Sequence, residues 1–454
     1  MKILLVSVNN EKDPYPVVPL GAAYVAAAVK ARGHEVRLLD LCFVEDDARS
    51  VEDAVTSFRP DAIGISIRNI DNLTYNRNVF YLPRIKDVVN FIKGLTAVPI
   101  VAGGSGFSIF PEDALRYLGL EIGIAGEGET AFTAFLDNMG TGGRNIQDIP
   151  NLCCIRDGKF MSNGRKYTDV KQKPDRAFID NRIYLEQGGM ANLQSKRGCP
   201  FHCTYCTYPG IEGNMLRLKE AGSVVEEIQE MIADYGIDYT FFVDDIFNFP
   251  ETHAAEICEL MLSAGLDISW ACFATPKGMT PELALLMKRA GCKGIEFGSD
   301  AGTDKTLSGL GKDFSTDDIE YATDCCRHIG LPNAHYVIIG GPGEDSSTIK
   351  KTASFFGKIA PTAVIMLTGL RIYPNTRLHD MAVNQGVISG NRNLFEPVFY
   401  VSPEIDMDAV LQEISRNASY NHNWIVPSLN IRCDSGILKL LRKMGMKGPL
   451  WDML

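Results

Sequence analysis

The stretch from Lys196 to Pro209 reads KRGCPFHCTYCTYP, and its three cysteines, Cys199, Cys203 and Cys206, are spaced C-x3-C-x2-C. Thiolates hold zinc and iron–sulfur clusters, and both usually take four protein ligands. His202 is the nearest candidate for a fourth, but it directly precedes Cys203, and adjacent residues rarely converge on one tetrahedral ion. The stretch follows the first candidate strand of a βα array, which puts its thiolates at the mouth where ligands bind. Three cysteines on a four-iron cube leave one iron for a substrate or cofactor, as catalytic zinc sites keep an open position. A cluster with one vacant corner is therefore preferred over structural zinc.

The rest of the chain must position that site. A chain of 454 residues is too long for one ordinary core, and its 45% hydrophobic and 22% charged residues describe a globular protein. A net charge of −11 argues against nonspecific nucleic-acid binding. No apolar run approaches the ~20 residues of a membrane span. The opening MKILLVSVNN reads as a first strand and not as a signal peptide. Twelve cysteines without a secretion signal indicate a reducing, cytoplasmic setting; the nine outside the motif lack metal spacing and read as small buried hydrophobes.

Over residues 1–150, KILLVSV, EVRLLDL, AIGISI, PIVAGG and IGIAGEG are strand candidates, with helical stretches such as PLGAAYVAAAVKARG between them. That alternation predicts an α/β, doubly wound Rossmann-like sheet with its ligand at the carboxyl ends of the strands. Those ends carry Ser7, Asn9, Ser66, Gly103, Gly104, Ser105, Gly126 and Gly128, where glycine permits close approach by a bulky ligand. GGSGF lacks G-x-G-x-x-G, and no P-loop motif is present. Residues 151–188 are polar and read as a linker with a hairpin in RDGKFMSNGRKYTD. Residues 189–382 resume the alternation as a partial (βα)6 TIM barrel. Residues 383–454 read as a small C-terminal α+β cap that shapes a substrate pocket, with GILKLLRKMG as a packed amphipathic helix.

The cysteine motif after the first barrel strand, with Tyr205 before its third cysteine, resembles the radical S-adenosylmethionine (SAM) superfamily. The resemblance implies a [4Fe-4S] cluster on Cys199, Cys203 and Cys206, whose open iron is chelated by SAM. An electron from the cluster then releases a 5′-deoxyadenosyl radical. FFVDDIF resembles the second-strand end that meets the SAM amino group, through the backbone near Asp244 and Asp245. VIIGGPGED resembles the fifth-strand segment against adenine, through Ile338, Ile339 and Gly340. IEFGSDAG resembles the fourth-strand segment, placing Ser299 near the ribose and Asp300 where the family often has Glu. LRIYPNT resembles the sixth-strand end, with Arg371 as a bidentate clamp on the SAM carboxylate or simply a surface arginine.

Ahead of that motif, PLGAAYVAAAVKARGHEV, VAGGSGFS and IAGEGE resemble the cobalamin-binding domain of cobalamin-dependent (class B) radical SAM enzymes. The resemblance implies cobalamin contacts from Ser7, Asn9, Leu20, Gly21, Ser66, Arg68, Asn69, Gly103, Gly104, Ser105, Gly126, Glu127, Gly128 and Glu129. D-x-H-x-x-G is missing, and His34, in RGHEV, falls at the wrong end of the sheet and reads as structural. The implied cobalamin is therefore base-off and His-off, with Arg68 and Asn69 in SIRNIDNLTYN beneath the cobalt, or Arg68 on a phosphate or corrin amide.

Together these resemblances imply a C-methyltransferase. One SAM recharges the cobalamin; a second yields the radical that removes hydrogen from an unactivated carbon, which takes the methyl from methylcobalamin. The expected partners are SAM, cobalamin, a flavodoxin- or ferredoxin-type reductant and an acceptor that is a protein or peptide. RIYPNTRLHDMAVNQGVI resembles the enzymes that C-methylate a glutamine of methyl-coenzyme M reductase. Cyclising or ring-rearranging relatives, methylases of lipids or natural products, and a non-catalytic corrinoid- or metal-binding module are the alternatives.

Overall fold

In the computed structural model, residues 1–141, 146–168 and 171–453 are described. Contacts divide the chain into two compact units. The first holds Met1–Asn72, Val79–Asn181 and Tyr208–Gly213; the second holds Leu73–Asn78, Arg182–Thr207 and Asn214–Leu454.

In the first unit the five apolar runs form β1 (Lys2–Ser7), β2 (Glu35–Asp40), β3 (Ala62–Ser66), β4 (Ile100–Gly103) and β5 (Ile122–Ile124). They pair in parallel in the order β2-β1-β3-β4-β5, as expected of strands covered on both faces by helices. Helix Leu20–Ala31 buries Ala26 and Val29 in one cluster with Ile3, Leu5, Val101 and Phe132, and Gly33, at φ +80°, turns the chain away beyond its end. Two antiparallel strands, β6 (Leu152–Arg156) and β7 (Lys159–Ser162), extend this sheet beyond β5. Asp157 and Gly158, both at positive φ, make the tight hairpin turn between them. The hairpin read in the polar segment thus belongs to the sheet edge; Asp169, at the end of that segment, lies outside the described residues.

The first strands of the second unit are β8 (Ala191–Leu193) and the small antiparallel pair β9 (Lys196–Arg197) and β10 (Arg217–Leu218). Then come β11 (Tyr239–Phe242), β12 (Ser269–Ala274), β13 (Cys292–Asp300), β14 (Asn333–Ile339) and β15 (Ala363–Thr368). A short antiparallel pair, β16 (Leu370–Arg371) and β17 (Phe399–Tyr400), and a last strand, β18 (Trp424–Ile425), complete the set. The main sheet is parallel, in the order β18-β15-β14-β13-β12-β11-β8. Its helices, among them Ala221–Tyr235, Glu251–Ser263, Thr316–His328 and Ser346–Ile359, bury one apolar stripe each. Phe242, Phe247 and Trp270 form an aromatic cluster with centroids 4.6–5.1 Å apart. β18 is a seventh parallel strand contributed by the C-terminal region, and it pairs Val364 with Trp424. No described helix is long and apolar enough to cross a membrane.

Candidate active site

In the second unit, parallel pairing aligns the carboxyl ends of β8, β11, β13 and β14, so the loops that follow them share one end of the sheet. The cysteine loop starts there and is fastened before the first thiol. Asp244, just past β11, accepts from the backbone N–H of Ser195 (2.6 Å) and of Lys196 (3.1 Å), and from the Ser195 hydroxyl. Lys196, 2% exposed, donates its ammonium to the carbonyls of Phe247 (2.7 Å) and Phe249 (2.9 Å). A buried Lys219–Glu227 pair at 3.0 Å supports the same corner, where Lys219 N–H also reaches the Ser195 carbonyl.

Within the loop Cys199 is buried, and Cys203 and Cys206 are half-buried; all three are free thiols. The Thr204 N–H bonds the Leu310 carbonyl at 2.9 Å, and the Thr204 carbonyl accepts from Leu378 N–H at 2.8 Å. Gly311, at φ +72°, is required for that contact, because a Cβ there would stand 2.7 Å from the His202 carbonyl. The next residue, Lys312, is brought to the thiols. Its ammonium lies 2.5 Å from Asp300, 3.1 Å from the Gly298 carbonyl and 3.3 Å from the Tyr205 hydroxyl, which itself donates to Asp300. Burial pushes the Cys199 thiol up to about 12, and Asp245 and Cys203 add to the rise, while Lys312 opposes it. Burial also raises Cys203, where the charge of Lys312 and a hydrogen bond from it favour the thiolate. For Lys312, burial acts downward, but Asp300 and Cys203 together outweigh it and keep the ammonium charged.

The other residues expected near SAM are distributed unequally. Asp300, at φ +63°, faces the cysteine loop. Ser299 does not: its hydroxyl is fully buried and bonded to His335 Nδ1 at 2.7 Å, beneath Thr323 of helix Thr316–His328. Ser299 thus lies away from the cysteine loop and Asp300 against it, at the irregular end of β13 where the register shifts after Phe297. Ile338 and Ile339 are buried at the end of β14, and Gly340 follows at φ +97°. Glu344 accepts from the N–H groups of Gly340 and Gly341; burial holds its carboxyl up at about 7 against those two bonds. Arg371, 5% exposed, donates to the carbonyls of Ile372 (2.7 Å), Leu394 (2.7 Å) and Phe395 (3.3 Å). Those bonds tie β16 to the chain at Leu394–Phe395, a different use from the carboxylate clamp read from the sequence. Lys312 and Glu344 were missed; GLGKD and GGPGED, with an ionisable residue after a positive-φ glycine, were the available signals.

In the first unit the expected cobalamin residues do collect at the carboxyl ends of the strands. Ser7 ends β1, Asn9 follows it, and Leu20 and Gly21 open helix Leu20–Ala31. Ser66 ends β3, and Arg68 and Asn69 lie on the loop beyond it. Gly103 ends β4, and Gly104, at φ +100°, has no space for a Cβ, which would stand 2.5 Å from the Ile67 carbonyl. The Ser105 hydroxyl bonds the Arg68 carbonyl at 2.9 Å, and Gly106 N–H bonds the Ile67 carbonyl at 3.0 Å, locking the two loops together. Gly126 N–H bonds the Ser108 hydroxyl at 2.8 Å; Glu127 accepts from Thr168 N–H at 3.0 Å; Gly128 and Glu129 open helix Glu129–Gly140. His34 lies at the amino end of β2, where its Nδ1 is 3.4 Å from the N-terminal amine.

Three free thiols beside a buried lysine suit a thiolate-bound iron–sulfur cluster. Among the described residues no three His, Cys, Asp or Glu side chains converge on a single point.

Comparison with known proteins agrees. The B12 binding domain family matches residues 6–136, and the Radical SAM superfamily matches residues 193–356. An uncharacterized methyltransferase of Pyrococcus horikoshii is 26% identical over 409 residues, covering 86% of this chain and 84% of the relative. The tryptophan 2-C-methyltransferase of Streptomyces laurentii is 24% identical over 433 residues, covering 81% of this chain and 72% of that enzyme. The structure of the radical SAM methyltransferase TsrM from Kitasatospora setae, with cobalamin and a [4Fe-4S] cluster bound, superposes with a TM-score of 0.88 at 22% identity, covering 99% of this chain and 96% of that one. The class that follows is a B12-binding domain joined to a radical SAM domain. The cofactors those two families name are cobalamin and SAM.

Proposed function

We propose that this chain, by class a cobalamin-dependent radical SAM methyltransferase, transfers a methyl group to an unactivated carbon of a protein side chain. The observation that carries the reading is the free-thiol triplet on a loop fastened by Asp244 and faced by Asp300 and Lys312. When bound, the cluster and SAM supply a 5′-deoxyadenosyl radical, and cobalamin supplies a transferable methyl group. Cys199, Cys203 and Cys206 hold the iron, and Tyr205 and Asp300 fix the loop that carries them. Ile338 and Ile339 provide an apolar wall at the end of β14, and the N–H groups of the next turn are held by Glu344. The Gly103–Gly106 turn, packed against the Ile67–Asn69 loop, would lie beneath a corrin bound at the strand ends, with Arg68 and Asn69 beside it. His34, at the amino end of β2, lies at the opposite end of the strands from the residues that would hold the cobalamin. Twelve free thiols suit a reducing cytoplasm and a flavodoxin- or ferredoxin-type reductant.

The specific acceptor we put forward is a glutamine of methyl-coenzyme M reductase, supported by the run from Arg371 to Ile388. The test is anaerobic turnover with deuterium-labelled methyl-SAM and a panel of glutamine-containing peptides, tryptophan, lipids and small natural products. Label in a peptide, with one S-adenosylhomocysteine and one 5′-deoxyadenosine per methyl, is the expected result. Label in tryptophan or a lipid alone replaces the acceptor. Deoxyadenosine with no labelled product removes methyl transfer and leaves the cyclising alternative.

A further inference from the structure

We infer that Lys312 is the counter-charge that sets the reduction potential of the cluster held by Cys199, Cys203 and Cys206, and that Asp300 trims it. The inference rests on the cluster reading of the proposed function. The Lys312 and Asp300 side chains are 8% and 5% exposed and 2.5 Å apart, so water screens neither. The lysine is held from several directions: by the Gly298 carbonyl at 3.1 Å, by the Tyr205 hydroxyl at 3.3 Å, and by the rings of Tyr205 and Phe314, each centred 5.7 Å away. Gly311 and the Thr204–Leu310 bond clip this segment onto the cysteine loop between Cys203 and Cys206. Lys312 therefore has little freedom to leave, and its charge and hydrogen bonding act on the Cys203 sulfur.

The consequence follows from charge. Reduction by one electron makes a thiolate-bound cluster more negative, and a fixed cation beside a ligating sulfur stabilises that state and raises the potential. A carboxylate against the same cation cancels part of the effect. Removing Lys312 and removing the charge of Asp300 must then shift the potential in opposite directions, which a purely structural role would not do.

The experiment is an EPR-monitored redox titration of the anaerobically reconstituted full-length protein without SAM, with iron and sulfide counted for each variant. Lys312→Met is expected to move the midpoint to a more negative value, and Lys312→Arg to leave it close to wild type. Asp300→Asn, which keeps an acceptor for Tyr205, is expected to move it to a more positive value. If Lys312→Met holds no cluster, the Asp300→Asn and Lys312→Arg titrations decide the matter. Full clusters with unshifted midpoints, or with both charge-removing variants shifted the same way, overturn the inference alone. A wild-type protein that takes up no cluster overturns both the inference and the reading beneath it.

Discussion

Trp451 Nε1 donates to Glu296 Oε1 at 2.7 Å, and Tyr336 donates to the other oxygen of the same buried carboxyl at 2.9 Å. The indole thereby packs on the second sheet near the start of β13, where a Cβ on Gly294 would stand 3.0 Å from it. Burial pushes Glu296 up to about 7, and the two donors only partly oppose that. The folded state thus prefers the protonated acid: its contribution to stability is complete below the pKa of an exposed glutamate and is lost as pH rises through 7. Glu296→Gln is expected to gain about 1–3 kcal/mol relative to wild type between pH 5 and pH 8 in denaturant unfolding. The same difference at both pH values would count against a buried titrating carboxyl.

Asp244 anchors the cysteine loop through its hydrogen bonds to Ser195 and Lys196. Asp244→Ala orphans the buried N–H groups of Ser195 and Lys196 and is expected to cost about 1–3 kcal/mol for each, with lower iron content after reconstitution. Wild-type iron loading in that variant would show that the loop is positioned by something else.

Cys199→Ser, Cys203→Ser and Cys206→Ser are each expected to abolish the cluster absorbance and SAM cleavage while the apoprotein keeps its circular dichroism and melting temperature. The anchors named above are carboxylates, lysines and backbone groups, and those survive the substitution. Unfolding of all three variants would favour a metal-stabilised module over an enzyme.

Two glycines at the carboxyl end of the first sheet, where cobalamin is proposed to bind, give opposite expectations for folding. Gly104→Ala places a Cβ 2.5 Å from the Ile67 carbonyl at φ +100° and should destabilise the fold and abolish corrinoid retention. Gly21→Ala meets nothing within 4 Å and should fold at least as well as wild type. Loss of bound cobalamin in Gly21→Ala, read from its visible spectrum, would mark that surface as ligand contact; unchanged retention would remove Gly21 from the site.

His34→Ala is expected to leave the EPR spectrum of the bound cob(II)alamin unchanged, with no nitrogen splitting in either protein. A splitting lost in the variant would restore His34 as an axial ligand.

Much of the architecture was legible in the sequence because parallel strands covered on both faces read as apolar runs between turn residues. β1 to β5 and β11 to β15 each coincide with such a run. β18 did not announce itself: two residues, Trp424 and Ile425, carry no period, and only pairing with Val364 and Ile365 makes them a strand. At the site, the cysteine spacing was local and therefore visible. The direction of Ser299, the carbonyl partners of Arg371 and the presence of Lys312 were not.

What the amino-acid order alone determined was the donor set, three thiols within eight residues, together with the strand alternation and the glycines at the strand ends. Those are short-range properties, written in adjacent side chains. Only the tertiary structure decided which charges accompany the thiols, since Lys312 lies 107 positions beyond Tyr205 and reaches it through one glycine turn. It also decided which of two neighbouring residues, Ser299 or Asp300, faces the cysteine loop, because the register breaks after Phe297 and Asp300 takes a left-handed backbone, neither of which adjacent side chains announce.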